Sequence, residues 1–475
     1  MSKLSDRLAD LLRGCMAGLE SPWGRRGFWT LVIVYGALLG IDAVVRAEFP
    51  KEVYVERLRY ESPTWMGRRQ DTQAKYHSSE FQQFRGLSWG AVREGLDEYA
   101  DFGHIRAYPP FFALAFFPFA FFWRIRGLGS ALFFATGYAG GLLTAWWLAR
   151  WWQRRDDPPS FGLFALTWLI MTPFVGAVLG RCETDMLVVV PLAAALLLMA
   201  RKEKETLAGS LLGFAASFKV LPGLFGVYLL CQRRWRAAAG MVLGGLLFTV
   251  VLPVLVWNPE GAWRRHVSWY RHVVAPYHTG GATAVIGRPY RSTNQSLTAA
   301  VHRFLTPIRA GKRDDMRRVN VASLPSATAA RIASGLRALV ALGLLALWLL
   351  CWRGQQTPAQ RAALFATVPL GTLLLSEVSL TTHHVTLIIP IAVILARSIC
   401  LGDSCSRRVL WCVALALLVC TVGVSKTVHL LSPFLLATLI LLGALLAIVI
   451  GDYLRERRDG TESQANGALQ PGRTG

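Results

Sequence analysis

The sequence predicts an all-α polytopic membrane protein, and three observations carry that reading. The chain has 475 residues, of which 53% are hydrophobic and only 17% charged, with a mean hydropathy of +0.38. A soluble domain of this size rarely combines such apolarity with 11% aromatics, whereas a membrane protein does. Apolar runs approaching the roughly 20 residues that span a bilayer recur along the chain. The stretch RAYPPFFALAFFPFAFF, Arg106–Phe122, shows no polar face at helical spacing, so its surroundings are apolar on every side.

In chain order, residues 1–27 form a cytoplasmic amphipathic segment. Leu4, Leu8, Leu11, Leu12, Met16 and Leu19 share one helical face, as in an interfacial helix. Arg25 and Arg26 precede the first apolar run, and the positive-inside rule keeps the N-terminus in the cytoplasm with no cleavable signal peptide. Residues 28–450 then hold about twelve crossings. The first ends near Val45, and 46–107 is too polar to cross. Further runs lie at about 108–123, 128–150, 161–180, 186–200, 207–230, 237–257, 334–352, 362–379, 385–400, 408–424 and 429–450.

Pro109 and Pro110 mark the second entry into the membrane, because proline suits a helix's first turn and blocks extension backwards. Tyr108 then falls at headgroup depth. Residues 207–230 split at FKVLPG into two half-helices, which lets RKEKE and CQRRWR lie on the same cytoplasmic side. The loops 46–107 and 258–333 are both expected outside, and the charged tail 451–475 is expected to be disordered.

A net charge of +22 points to anionic lipid headgroups and phosphate-bearing lipids, not nucleic acid, because the charges sit between apolar runs. The eight cysteines form no CxxC pair, and most lie in apolar runs, so neither disulfides nor a metal is expected.

The segment from SSEFQQF through GLDEY to YPP, followed by GRCETDMLVVV, AGSLLGFAASFKVLPG, NQSLTAAVHR and LTTHHVTLIIPIAVIL, covers about residues 78–400. These elements, in this order, resemble the integral-membrane GT-C glycosyltransferases that use a polyprenyl-phosphate sugar. The similarity is to the mannosyltransferase family related to phosphatidylinositol-mannoside synthesis. Glu80 stands where that family generally has Asp, after an insertion of about thirty residues. The resemblance implies a GT-C-like bundle with two long extracytoplasmic loops and a reaction on that side of the cell membrane. It also implies transfer of a sugar, mannose in the family, from a lipid-linked donor to a glycolipid, glycan or protein acceptor, with no cofactor beyond the donor.

Such a transfer needs a base for the acceptor hydroxyl, cations for the departing phosphate and exclusion of water. Glu80 is the first choice for the base by its place in the motif. Asp42, near the outer end of the first crossing, is second, ahead of Asp101 and Asp71. Lys219 sits in an apolar stretch beside Pro222 and suits a lipid phosphate, or else snorkels from a helix end. Asn294, Gln295 and Ser296 suit sugar hydroxyls and Arg303 suits a phosphate, or else the segment is a helix cap. His383 and His384 stand at the entrance of a crossing, placed for the phosphate or the reacting groups.

AWRRHVSWYRHVV interleaves Trp263, Trp269 and Tyr270 with Arg264, Arg265 and Arg271, the pattern of a helix lying on a membrane surface. Two other classes remain open. A transporter would show paired broken helices, and the chain has one such break. An inactive homologue serving as a partner subunit would fit the replacement of Asp by Glu80.

Overall fold

The structure is a computed structural model that describes residues 2–48, 80–97, 99–100, 108–122, 125, 127–151, 160–199, 204–278, 290–310, 317–352, 356–400, 404–422 and 426–468. Asp71, Asp101 and the side chain of Glu80 lie outside the described residues. Every element of secondary structure among the described residues is helical, and seven helices are long and apolar enough to cross a membrane.

The first helices are α1 (Ser2–Glu20), α2 (Pro22–Glu48), α3 (Glu80–Arg93), α4 (Phe111–Ala120), α5 (Leu128–Trp151), α6 (Phe161–Leu179) and α7 (Met186–Met199). Next come α8 (Glu205–Phe218), a 3-10 turn (Leu221–Gly223), α9 (Leu224–Cys231), α10 (Trp235–Leu246) and, after a π-turn, α11 (Leu252–Trp269). The chain continues with α12 (Leu297–Leu305), α13 (Ser326–Cys351), α14 (Pro358–Leu375), a 3-10 helix (Thr381–Leu387) and α15 (Ile388–Ile399). It ends with α16 (Ser404–Arg408), α17 (Leu410–Val422), α18 (Lys426–His429) and α19 (Pro433–Ala468).

Side-chain contacts fix which ends lie together. Glu20 of α1 accepts hydrogen bonds from Ser160 Oγ and Gly162 N at the start of α6. Arg234 reaches Met199 O and Glu205, Gln232 donates to Trp348 O, and Arg397 pairs with Asp452. These groups define the N-terminal face. Gly36 lies against Tyr138, Gly40 against Phe134 and Gly127 against Val44, so α2 and α5 are antiparallel and residues 49–127 begin and end at the opposite face.

The expected crossing at 108–123 is therefore corrected. A helix of ten residues is about 15 Å long, half of a hydrocarbon core of about 30 Å. It packs instead on α3, through Phe84 against Phe112 and Phe116 at ring separations of 5.0 and 5.4 Å and a hydrogen bond from Ser88 Oγ to Ala113 O. Of the phenylalanine-rich run, Phe111, Phe112 and Phe116 are buried, while Pro118 and Phe121 are exposed.

The break in 207–230 gives a hairpin. α8 ends at Phe218, Pro222 starts the 3-10 turn, and α9 returns to the N-terminal face, where Arg234 meets Glu205. α10 then runs parallel to α8 with backbones in direct contact. Added Cβ atoms at Gly209 and Gly240 would meet carbonyl oxygens at 1.9 and 2.0 Å, so the two GxxxG pairs, Gly209/Gly213 and Gly240/Gly244, fix this packing.

α19 is described as far as Ala468, and residues 469–475 of the expected tail lie outside the described residues. Arg397 anchors Asp452, and the following Glu and Arg residues are good helix formers.

Candidate functional site

At the face opposite α1, the turn joining α6 to α7 presents Glu183, Thr184 and Asp185. Cys182 turns the chain with φ +57°, a left-handed conformation that costs a side-chain-bearing residue energy and is retained where a site over-determines it. Its Sγ lies 3.8 Å from Ala43 O, which brings the outer end of α2, with Asp42, to the same turn.

Asp185 Oδ1 accepts from Lys219 Nζ at 2.6 Å, both side chains nearly enclosed. Because α7 and α8 each have 14 residues, short of a full crossing, the pair is recessed within the bundle. The Lys219 ammonium also lies 5.5 Å from the centroid of the Tyr108 ring, a cation–π distance. Tyr108 in turn stacks on Phe112 at 4.2 Å and meets Phe84 at 5.8 Å.

Burial alone would raise the Asp185 carboxyl, but the Lys219 ammonium beside it holds it below the usual carboxylate range. Burial opposes the charge of Lys219, and Asp185 outweighs it and raises its pKa, so both groups are ionised at neutral pH. Burial pushes the Tyr108 hydroxyl up to about 12, so it remains a donor. Asp185 Oδ2 is buried without a hydrogen-bond partner among the described residues, as are Ser379 Oγ and Thr382 Oγ1 on the strap that faces it. Buried orphans of this kind are rare and call for a ligand or a function.

That strap is Ser376–Leu387, which packs on α6 and α7 and carries His383 and His384 close enough to act electrostatically on Asp185. His384 is buried and its Nδ1 lies 3.0 Å from Leu380 O, while His383 Nδ1 accepts from Leu380 N at 3.3 Å.

Residues 294–296 hold the strap from behind. Asn294 donates to Glu377 O at 2.8 Å and accepts from Ser379 N at 2.8 Å. Gln295 N donates to Ser379 O at 2.7 Å, and its side chain reaches His429 O at 3.0 Å. Ser296 caps α12 by accepting from Ala299 N and donates to Glu377 O at 2.7 Å.

Arg303 is fully buried and donates to Tyr290 O, Arg291 O and Asn294 O, and to Ser432 Oγ. Burial lowers its pKa to about 10, which leaves it cationic at neutral pH. The polar groups of this segment are thus directed at protein carbonyls, and the helix-cap alternative describes Ser296.

Of the residues singled out in the sequence, Tyr108, Lys219, His383 and His384 converge, with 294–296 one layer behind and Arg303 behind those. Asp42 lies at the same face. Glu80 opens α3, one turn before Phe84, whose ring meets Tyr108. Sequence reasoning missed Asp185, Glu183 and the ion pair of Glu377 with Arg337 at 2.9 Å. The signal was present, since two carboxylates in GRCETDMLVVV adjoin an apolar helix, where ionisable groups are seldom idle.

The segment AWRRHVSWYRHVV is helical. The chain bends at Asn258, whose φ of +57° and side-chain bond to Gly261 N restart the helix before Pro259. Trp263 and Tyr270 point outward, while Arg265 is buried and donates to Ala91 O and Leu96 O, which fastens this helix to the end of α3.

An all-helical bundle with seven helices long and apolar enough to cross a bilayer is the build of a polytopic membrane protein. Residues 107–377, more than half of the chain, match the model of glycosyltransferase family 87, and the chain belongs to that family, a GT-C-like membrane family. No curated protein and no solved structure is matched by the chain. The matched span takes in Tyr108, Asp185, Lys219 and 294–303 and stops at Glu377, just short of His383 and His384.

Proposed function

We propose that this membrane glycosyltransferase moves a sugar, mannose by the resemblance of its motifs, from a polyprenyl-phosphate donor to a glycolipid, glycan or protein acceptor. The reaction would take place at the face opposite α1, which the positive charges before α2 make extracytoplasmic in the plasma membrane. The observation that carries the reading is the enclosed Lys219–Asp185 pair with one carboxylate oxygen left open, beside Tyr108 and two histidines.

In this reading the acceptor oxygen attacks the anomeric carbon, the bond from that carbon to the phosphate oxygen breaks, and the phosphate leaves with the electron pair. The Lys219 ammonium has donors beyond the one given to Asp185, and these stabilise the charge growing on the phosphate. The Tyr108 hydroxyl and the histidines supply further polar contacts. The open Asp185 oxygen holds a sugar hydroxyl, and Glu80, or Asp42 in its place, takes the acceptor's proton. Asp185 is a weak candidate for that base, because its neighbouring ammonium lowers its affinity for a proton.

The test is a donor comparison with purified protein in bilayers. Radiolabel should move from polyprenyl-phosphate mannose and not from a nucleotide sugar. Transfer from the nucleotide sugar alone would overturn the donor assignment.

A further inference from the structure

The strap that carries His383 and His384 to Asp185 leaves α14 through a local turn. Ser376 Oγ donates to Val378 O at 2.7 Å and accepts from Val378 N at 3.1 Å. Inside that turn stands Glu377, which three other elements grip at once. Its carbonyl accepts from Asn294 Nδ2 at 2.8 Å and from Ser296 Oγ at 2.7 Å, at the start of α12. Its carboxylate pairs with Arg337 of α13 at 2.9 Å, with both side chains mostly buried. The Tyr277 hydroxyl, beyond the end of α11, hydrogen-bonds the same carboxylate. Earlier in that segment Arg265 donates to Ala91 O on α3. Glu377 is therefore where the chain between α11 and α13 reaches the strap.

Stability alone does not account for this arrangement. α12 and α13 lie side by side, with Leu324 N donating to Leu305 O at one end and Glu377 bridging Ser296 and Arg337 at the other. Along that seam, Arg337 Nε, Thr298 Oγ1 and both ring nitrogens of His302 are buried without a hydrogen-bond partner among the described residues. A buried ion pair repays its desolvation only where the groups around it are satisfied. What the pair supplies is register. Asn294 forms an antiparallel bridge with Leu380, and Ser379 N and O are taken by Asn294 and Gln295. In a paired segment, a slip of one residue turns every side chain to the opposite face. Such a slip would carry Ser379 and the histidines away from Asp185.

We propose that Glu377 is a positioning residue: held by Arg337 and Tyr277, it sets the register of the strap and so places Ser379 and His383 at the Lys219–Asp185 centre. The proposal rests on the reading of that centre as the site of transfer.

The test measures transfer from polyprenyl-phosphate mannose by full-length protein in bilayers, per folded molecule. Glu377→Gln should lower kcat by at least ~10-fold, within the ~10²-fold that a misplacement of about 1 Å can cost. Donor KM should stay within about two-fold, the split expected when only transition-state contacts are disturbed. Glu377→Gln/Arg337→Met removes the whole pair without stranding a charge, and should show the same loss if the single variant fails to fold. His383→Ala should lower kcat by itself, and adding Glu377→Gln to it should cost less than about two-fold more, because the two act through one element. Penalties that multiply in the combined variant, or a near-normal kcat in His383→Ala, would overturn the proposal. So would a near-normal kcat in Glu377→Gln/Arg337→Met beside an impaired Lys219→Met, an outcome that leaves the reading of the centre standing. Near-normal kcat in Lys219→Met would bring down that reading and the proposal with it.

Discussion

Two buried ion pairs sit at opposite ends of this bundle, and they are built differently. At the N-terminal face, Arg397 and Asp452 meet through two contacts, at 2.9 and 3.0 Å, and Arg397 Nε donates to Ser406 Oγ at 3.1 Å. That pair joins the end of α15 to the middle of α19, with both carboxylate oxygens near the guanidinium. At the other face, Lys219 and Asp185 share one contact at 2.6 Å, and the second oxygen of Asp185 has no partner. In both pairs the second carboxylate oxygen lacks a hydrogen-bond partner among the described residues, but Asp452 Oδ2 still lies 2.9 Å from its guanidinium, whereas Asp185 has one oxygen in contact with its cation. The Lys219–Asp185 pair is thus the more open of the two.

The largest difference between the pairs should appear when one partner is neutralised. Lys219→Met should lower turnover by about 10²–10³-fold, the range for removing one preorganised donor to transition-state charge. Asp452→Asn should reduce the yield of folded protein, as breaking a buried pair costs about 3–5 kcal/mol. Turnover per folded molecule should stay unchanged. Steady-state rates normalised to the monodisperse fraction measure both. A drop in normalised turnover for Asp452→Asn would erase the contrast.

Glu80→Gln sharpens the comparison by separating the base from the phosphate site. It should lower kcat by at least ~10²-fold with little change in donor KM, whereas Lys219→Met should change donor binding as well. Near-normal turnover in Glu80→Gln together with loss in Asp42→Asn would move the base to Asp42.

pH provides a smaller contrast. The folded pKa of Asp185 is depressed, so its contribution to stability is present above the unfolded value, about 3.9, and is lost as pH falls through the folded value. The melting temperature of the wild type, minus that of Asp185→Asn, should be flat from pH 8 to 5 and shrink only below about pH 4. A change near neutrality would mean that Asp185 is not held ionised by Lys219.

The smallest effect belongs to the strap's support. Ser296→Ala removes a helix cap and should cost about 1 kcal/mol of stability while leaving donor KM within about two-fold. A ten-fold rise in donor KM, about 1.4 kcal/mol, would place Ser296 in contact with substrate.

The helical membrane class was legible because apolarity over long windows is a property of the sequence itself, and the break at Lys219–Pro222 was legible because proline cannot continue α8. The crossing at 108–123 was misread for a physical reason. A helix packed against protein and one packed against lipid have the same composition, and only length and the contact of Gly127 with Val44 separate them. Tyr108, Lys219 and the histidines stood out as polar groups in apolar runs. Asp185 stood in the same kind of run, but its importance comes from a partner 34 residues away in sequence. Likewise the carbonyls that absorb Arg303 lie on segments whose approach no local pattern reveals.

The most direct test of the account compares two double variants in one assay. Asp185→Asn/Lys219→Met and Arg397→Met/Asp452→Leu each remove a whole buried pair, so neither strands a charge and both should fold. Each is reconstituted in bilayers, and transfer from radiolabelled polyprenyl-phosphate sugar is measured per folded molecule. The first should lose at least ~10²-fold in turnover, and the second should retain wild-type turnover. Equal activity in the two variants would contradict the assignment of the Lys219–Asp185 centre as the site of transfer.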